Sequence, residues 1–200
     1  MDLGHPLTSL FGRLDGHVLA VLATPNTQLN GRAVHRLLGI DASIGGVHAA
    51  LSRLVETGVL TALPRSTEIV YQANREHLLW PAVEIGLASE VELLDRIRKL
   101  AHAEAPGGSS VVLYGSVQRG DAHSESDVDL LVVFPTAVEQ SDRDEFAWKL
   151  SSHISLWTGN DAQVIQIDTE GLRTSSRNTH DRLVQLWLSE GEVVFGPALT

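Results

Sequence analysis

Gly115-Ser116 and the pair Asp127 and Asp129 are the residues of this 200-residue chain whose types and spacing could do chemistry. They lie in one run, Val111-Val-Leu-Tyr-Gly-Ser-Val-Gln-Arg-Gly-Asp-Ala-His-Ser-Glu-Ser-Asp-Val-Asp-Leu-Leu-Val-Val-Phe134. One apolar stretch ends in Gly115, and a second carries the two aspartates at its start. Side chains alternate along a strand, so Asp127 and Asp129 point to one face. Two carboxylates on one face make a hard-oxygen site suited to Mg²⁺ (or Mn²⁺), a cation that keeps waters and binds substrate phosphates as well. Gly115 admits a ligand close to the backbone. Ser116 adds a hydroxyl and an N–H where a helix starts, a place that favours anions. A phosphate-sized anion and a divalent cation would therefore sit side by side.

The pattern Gly115-Ser116, Arg119-Gly120, Ser126-Asp127-x-Asp129 resembles the DNA polymerase beta-like nucleotidyltransferases, in particular their minimal branch. The resemblance implies an α/β (α+β) fold with a mixed sheet flanked by helices and a nucleotide held at the mouth of its first two strands. It implies that Gly115 and Ser116 grip the triphosphate of an NTP, with Arg119 and Ser126 beside it. Asp127 and Asp129 would hold the metals, in a two-metal in-line displacement where positioning and charge stabilisation supply most of the rate. Arg119 could steady a phosphate or simply pair with Asp121.

The same family places a third acid on the neighbouring strand. Here that strand reads Gly159-Asn-Asp-Ala-Gln-Val-Ile-Gln-Ile-Asp168, and the nearest position is the neutral Gln163. Asp161 shares the Gln163 face if the strand begins early, and is the candidate third catalytic acid; Asp168 falls on the opposite face. Two functions stay open. One is a metal-dependent nucleotidyltransferase acting on an acceptor hydroxyl. The other is a transcriptional regulator whose degenerate nucleotidyltransferase domain senses a nucleotide without catalysis.

The elements that must position these groups follow from periodicity and punctuation. Residues 14–23, Asn30 to Leu38 and Ser43 to Thr57 read as three helices, with Asn30 an N-cap candidate and Gly58 a terminator. A hairpin with a polar tip at 64–67 follows. Three helices and a hairpin make a winged helix-turn-helix, and the segment resembles the winged-helix domains of bacterial transcriptional regulators. Ser43, His48, Ser52 and Arg53 would face outward from the recognition helix. Arg32, Arg36 and Arg65 would reach phosphates or a groove of double-stranded DNA. A protein-docking role is the other use of such a module.

From Arg75 to Ala103 one long helix is expected, with Pro81 an early kink or a first turn. Val83, Leu87, Val91, Leu94, Ile97 and Ala101 recur near a 3.5-residue period, which serves either a homodimer or packing on the chain's own domains. Glu104-Ala-Pro-Gly-Gly-Ser-Ser110 is the boundary by composition. The expected organisation is a winged helix-turn-helix over 1–80, a connecting helix over 81–104 and a nucleotidyltransferase domain over 105–200. Beyond the aspartates come a helix over 139–157, a strand over 164–167, a helix over 181–190 and a strand over 193–195. Trp148, Trp157 and Trp187 are expected in the core.

Bulk properties narrow the rest. The chain has no cysteine, which excludes disulfides, thiolate chemistry and Cys-ligated zinc. No run of about 18 apolar residues is present, so no membrane span is expected. The start, Met1-Asp-Leu-Gly-His-Pro6, lacks the basic and apolar regions of a secretory signal, and a cytoplasmic protein is expected. Net charge is −10, yet residues 1–80 hold six Arg and six acids; the excess acid lies beyond them. The balanced first part is the one expected to approach DNA.

Overall fold

The computed structural model describes residues 1–177 and 181–199. The chain divides into two compact units, residues 5–89 and residues 1–4 with 90–200.

In the first unit, α1 (Thr8–Phe11) and α2 (Arg13–Leu22) lead into a short strand β1 (Leu29–Asn30), then α3 (Gly31–Leu37) and α4 (Ile44–Glu56). Both later helices start where capping chemistry predicts. The side chain of Asn30 accepts from Ala33 N–H at 2.8 Å, and Ser43 Oγ accepts from Gly46 N–H at 3.0 Å. Strands β2 (Leu60–Pro64) and β3 (Ile69–Ala73) pair antiparallel around the polar tip, and β1 joins the free edge of β3. The sequence reading missed β1 because two residues carry no periodicity. Leu19, Leu22, Val34, Val47, Leu51, Leu54 and Leu60 close the core.

The single helix expected from Arg75 is two helices, α5 (Trp80–Leu87) and α6 (Ser89–Glu104). Pro81 sits in the first turn of α5, where its missing N–H costs nothing. Ala88 ends that helix, its N–H reaching the carbonyls of Glu84 and Gly86. The apolar stripe is split accordingly. Val83 enters the core of the first unit, whereas Ile97 and Ala101 enter that of the second. Leu87 and Val91 stay exposed. A continuous seam along 83–101 is therefore absent, and residues 81–104 are not one connecting helix. The chain divides at 89–90 instead of near 105.

The second unit holds β4 (Ser110–Tyr114), α7 (Gly115–Arg119), β5 (Val128–Phe134), α8 (Gln140–Thr158), β6 (Ala162–Asp168), α9 (Thr169–Ser176), α10 (Arg182–Glu190) and β7 (Glu192–Phe195). Its sheet is mixed, in the order β6-β5-β4-β7, with β5 and β6 parallel and the other pairs antiparallel. Strand β5 is buried on both faces. Val128, Leu130, Val132 and Phe134 pack with Ile97 of α6 and with Phe146, Leu150 and Ile154 of α8. Leu131 and Val133 pack with Val112, Tyr114, Leu172, Val184 and Trp187. Two apolar layers explain why the run 130–134 carries no polar residue. Of the tryptophans expected inside, Trp187 is buried, but Trp148 is 69% exposed. Among the described residues no helix is long and apolar enough to cross a membrane.

Candidate active site

Strand β4 ends at Tyr114, and Gly115 turns the chain into α7 with φ of +77°. Tyr114 is paired with Asp129 across the sheet, which brings the Asp129 carboxylate against that turn. A Cβ on residue 115 would collide with Asp129 Oδ2 and lie 3.1 Å from its Cγ. Both the left-handed backbone and the close approach demand glycine. The two halves of the motif, fourteen positions apart in sequence, thus meet at one point.

Asp129 lies on the Leu131 and Val133 face, at the rim of the second apolar layer. Burial pushes its carboxyl above the ordinary range, the like charge of Asp127 adds to this, and Arg119 opposes both. Burial, and then the negative charge of Asp129, also raise the Tyr114 hydroxyl. A half-buried carboxylate with a second one beside it forms a place where positive charge is stabilised. Their all-oxygen chemistry and the glycine cradle suit a hard divalent cation, whose remaining positions phosphates and water would fill. Among the described residues no group of three or more His, Cys, Asp or Glu is arranged to hold a metal ion.

Gln163 explains that. Parallel pairing sets Asp129 opposite Gln163, and Gln163 Nε2 donates to Asp127 Oδ2 at 2.7 Å. Asp161 precedes β6 and is exposed; its carbonyl accepts from Val128 N–H at 2.9 Å. Asp168 sits at the far end of β6, opposite Phe134. There it caps α9, accepting from Gly171 N–H at 2.7 Å and from Arg143 at 3.4 Å.

The flanking candidates are held in defined ways. Arg119 pairs with Asp121 at 3.3 Å and Glu190 at 3.9 Å, so the Asp121 pairing is realised while its charge still reaches Asp129. The carbonyl of Ser116 accepts from Asp121 N–H at 3.0 Å, closing α7 at the left-handed Gly120. Ser126 Oγ accepts from His123 N–H at 2.9 Å, so this hydroxyl closes the turn ahead of Asp127.

One residue that the sequence reading passed over governs this turn. Asn160 is 5% exposed. Its Nδ2 donates to the carbonyls of Ser126 at 2.9 Å and Ser124 at 3.5 Å, its Oδ1 accepts from the Met1 ammonium at 2.7 Å, and its N–H reaches Thr158 Oγ1 at 3.0 Å. The signal available was its place directly after Gly159, a helix terminator in left-handed conformation.

In the first unit, Arg32 and His48 line an open cleft of about 470 Å³ together with Asn30, Thr67, Glu68 and Tyr71. Arg36 and Ser52 are exposed, and the Ser43 hydroxyl is committed to capping α4. Arg53 turns back to α2, bonding Asp15 at 2.5 and 3.1 Å. Arg65 donates to Gln28 at 3.0 Å.

Residues 94–173 match the family described as nucleotidyltransferase domain. Among curated proteins the chain has no match. Solved structures similar to it include a toxin–antitoxin complex with AMP-PNP (26% identity, TM-score 0.38, covering 52% of this chain and 73% of that one). A tri-AMPylated Shewanella oneidensis HEPN toxin in complex with MNT antitoxin is 20% identical, with a TM-score of 0.36, covering 54% and 73% of the two chains. TrmBL2, an archaeal chromatin protein, is 10% identical with a TM-score of 0.31, covering 92% and 73%. The glycine turn, the two aspartates and strands β4 to β6 thus fall within a segment of known kind: residues 94–173 match a nucleotidyltransferase domain.

Proposed function

We propose that the second unit binds an NTP with a divalent cation, Mg²⁺ or Mn²⁺, and moves its nucleotidyl group to an acceptor hydroxyl. The observation that carries this reading is the Asp129 carboxylate lodged against Gly115 with Asp127 beside it. Asp127 and Asp129 would hold the cation, whose contribution is to neutralise the triphosphate and polarise the reacting phosphorus. Gly115 and the N–H groups of α7 take the phosphates, and Arg119, exchanging Asp121 for a phosphate oxygen, adds positive charge. The acceptor oxygen attacks the α-phosphorus, the bond to the β-phosphate breaks, and pyrophosphate leaves. Asp161 is the candidate to take the acceptor's proton, since Gln163, at the family's acid position, cannot.

The Gln163 bond to Asp127 favours a second reading, a domain that senses a nucleotide without transferring it. The first unit is, in our reading, a winged helix-turn-helix that binds double-stranded DNA through Arg32, Arg36, His48, Ser52 and Arg65. Arg53 contributes once it leaves Asp15, and Ser43 orients the helix from its cap. A cytoplasmic homodimer completes the picture, because two modules on one two-fold axis read half-sites about one helical turn apart.

Calorimetry with NTP and Mg²⁺ tests the site: binding to the wild type, and its loss by tenfold or more in both Asp127→Asn and Asp129→Asn, is expected. Equal affinity in all three would remove the assignment. Labelled NTP with cell extract separates the two readings. Transfer that disappears in Asp161→Ala supports the enzyme. Binding without transfer, and transfer gained by Gln163→Asp, supports the sensor.

A further inference from the structure

Asp127 and Asp129 are held by different means. Asp129 lies within β5, where pairing with Tyr114 and Gln163 fixes its backbone on both sides. Asp127 precedes the strand, at the end of a loop, 120–127, that has no helix or strand of its own. The loop makes bonds within itself, such as Ser126 N–H to the His123 carbonyl at 3.0 Å. A carboxylate that must meet a cation needs its place fixed to within a fraction of an ångström, and packing from outside the loop has to supply that.

Residues 1–4 do so. They belong to the second unit, although the chain after them builds the whole of the first. Leu3 is 2% exposed and joins the core that contains Val117 before the loop, Ala122 within it and Val128 after it. Met1 packs, partly buried, against the same core. Gly4 lies on the loop backbone: a Cβ there would collide with the carbonyl oxygen of Ala122 and stand 3.3 Å from that of Gly120. This close approach, and not a positive φ, is what demands glycine at position 4.

The far half of the loop is reached through Asn160. The Met1 nitrogen donates to Asn160 Oδ1 at 2.7 Å, across 159 positions of sequence. Nδ2 is left to donate to the carbonyls of Ser126 at 2.9 Å and Ser124 at 3.5 Å. An amide side chain has one accepting and one donating end, so the donor at Met1 fixes which end faces the loop. Asn160 is buried, and each end needs its partner. Burial of the chain start would ask only for an apolar residue at position 3. Gly4 and the Met1 bond are aimed instead at the loop, one at each half.

We propose that residues 1–4 brace the Gly120–Asp127 loop and thereby set the place of Asp127, which rests on its role as a cation ligand proposed above. Leu3 is the anchor, and Gly4 and Asn160 are the two holds. All three are positioning residues that need touch neither nucleotide nor cation. Loss of the brace moves Asp127 and leaves Asp129, fixed by the sheet, where it is. A shift of about 1 Å at a reacting group costs up to roughly a hundredfold, so a loosened loop should be visible in binding.

The full chain tests this by two independent readouts. In the ligand-free protein, amide hydrogen exchange over 120–127 should speed up tenfold or more in Gly4→Ala and in Leu3→Ala, with 128–134 and 5–89 unchanged. Leu3→Met, which keeps the volume, should exchange like the wild type. Calorimetry with ATP, GTP, CTP and UTP, each with Mg²⁺, finds the NTP that the wild type binds. Gly4→Ala and Leu3→Ala should bind it tenfold or more weakly, and Leu3→Met equally well. Unchanged exchange over 120–127 in Gly4→Ala overturns the brace. So does faster exchange throughout the second unit, which would make Leu3 and Gly4 parts of the core only. Faster loop exchange with undiminished NTP affinity overturns the placing of Asp127. A wild type that binds no NTP defeats the function proposed above instead, and exchange then still decides whether residues 1–4 hold the loop.

Discussion

Gly115 and Asp129 form the point where residue type matters most. Replacing Gly115 by alanine should lower NTP·Mg²⁺ affinity tenfold or more, because the new Cβ meets the carboxylate that would hold the cation. It also strains a left-handed position, at a cost of about 1–2 kcal/mol. Asp129→Asn should behave oppositely toward stability. The ionised carboxylate is half-buried beside Asp127, so removing its charge relieves repulsion. Denaturation of the ligand-free protein should show this variant at least as stable as the wild type, though unable to bind; a clear loss of stability would mean that the carboxylate anchors the fold. Asn160→Ala should weaken NTP·Mg²⁺ binding without touching it, through the Ser124–Asp127 turn it holds. The aspartate pair and the glycine were legible because alternation and turn chemistry are local. Asn160 was not, because its work is done on a loop more than thirty positions earlier.

At the scale of elements, caps and terminators were readable and continuity was not. Asn30, Ser43 and Asp181 cap the helices that follow them, each by a side-chain bond to an N–H two or three residues on. Asp168 shows the same chemistry with a pH consequence. The Gly171 N–H bond, opposed by burial and aided by Arg143, holds its carboxyl below the ordinary range. Its lowered value means stability that is present above the unfolded-state pKa and is lost as pH falls through the folded one. Asp168→Ala should cost about 1 kcal/mol near neutral pH, as N-cap removal does. Stability measured across pH 2 to 5 (roughly the interval spanning free and bonded Asp values) should be less steep in that variant. An equal slope would deny Asp168 its share. The long helix over 75–103 failed as an expectation because apolar spacing near 3.5 residues is satisfied equally by one helix and by two helices serving separate cores.

For the whole molecule, the decisive fact is that each unit closes its own core. Calorimetry should therefore resolve two transitions, and NTP with Mg²⁺ should raise only the one of the second unit, by about 2.7 kcal/mol at a hundredfold excess over the dissociation constant. A single transition that shifts as a whole would show the units to be thermodynamically coupled.

What this sequence determined by itself was everything that acts over a few residues: the same-face aspartates, the glycine turn, the capped helices and the hairpin. Periodicity and backbone conformation are properties of short segments, so they survive without the fold. The tertiary structure alone decided which segments share a core, that Gln163 donates to Asp127, and that Asp168 caps α9. Those are matters of register and packing between distant segments, and nothing in the local chain sets the offset at which β5 meets β6.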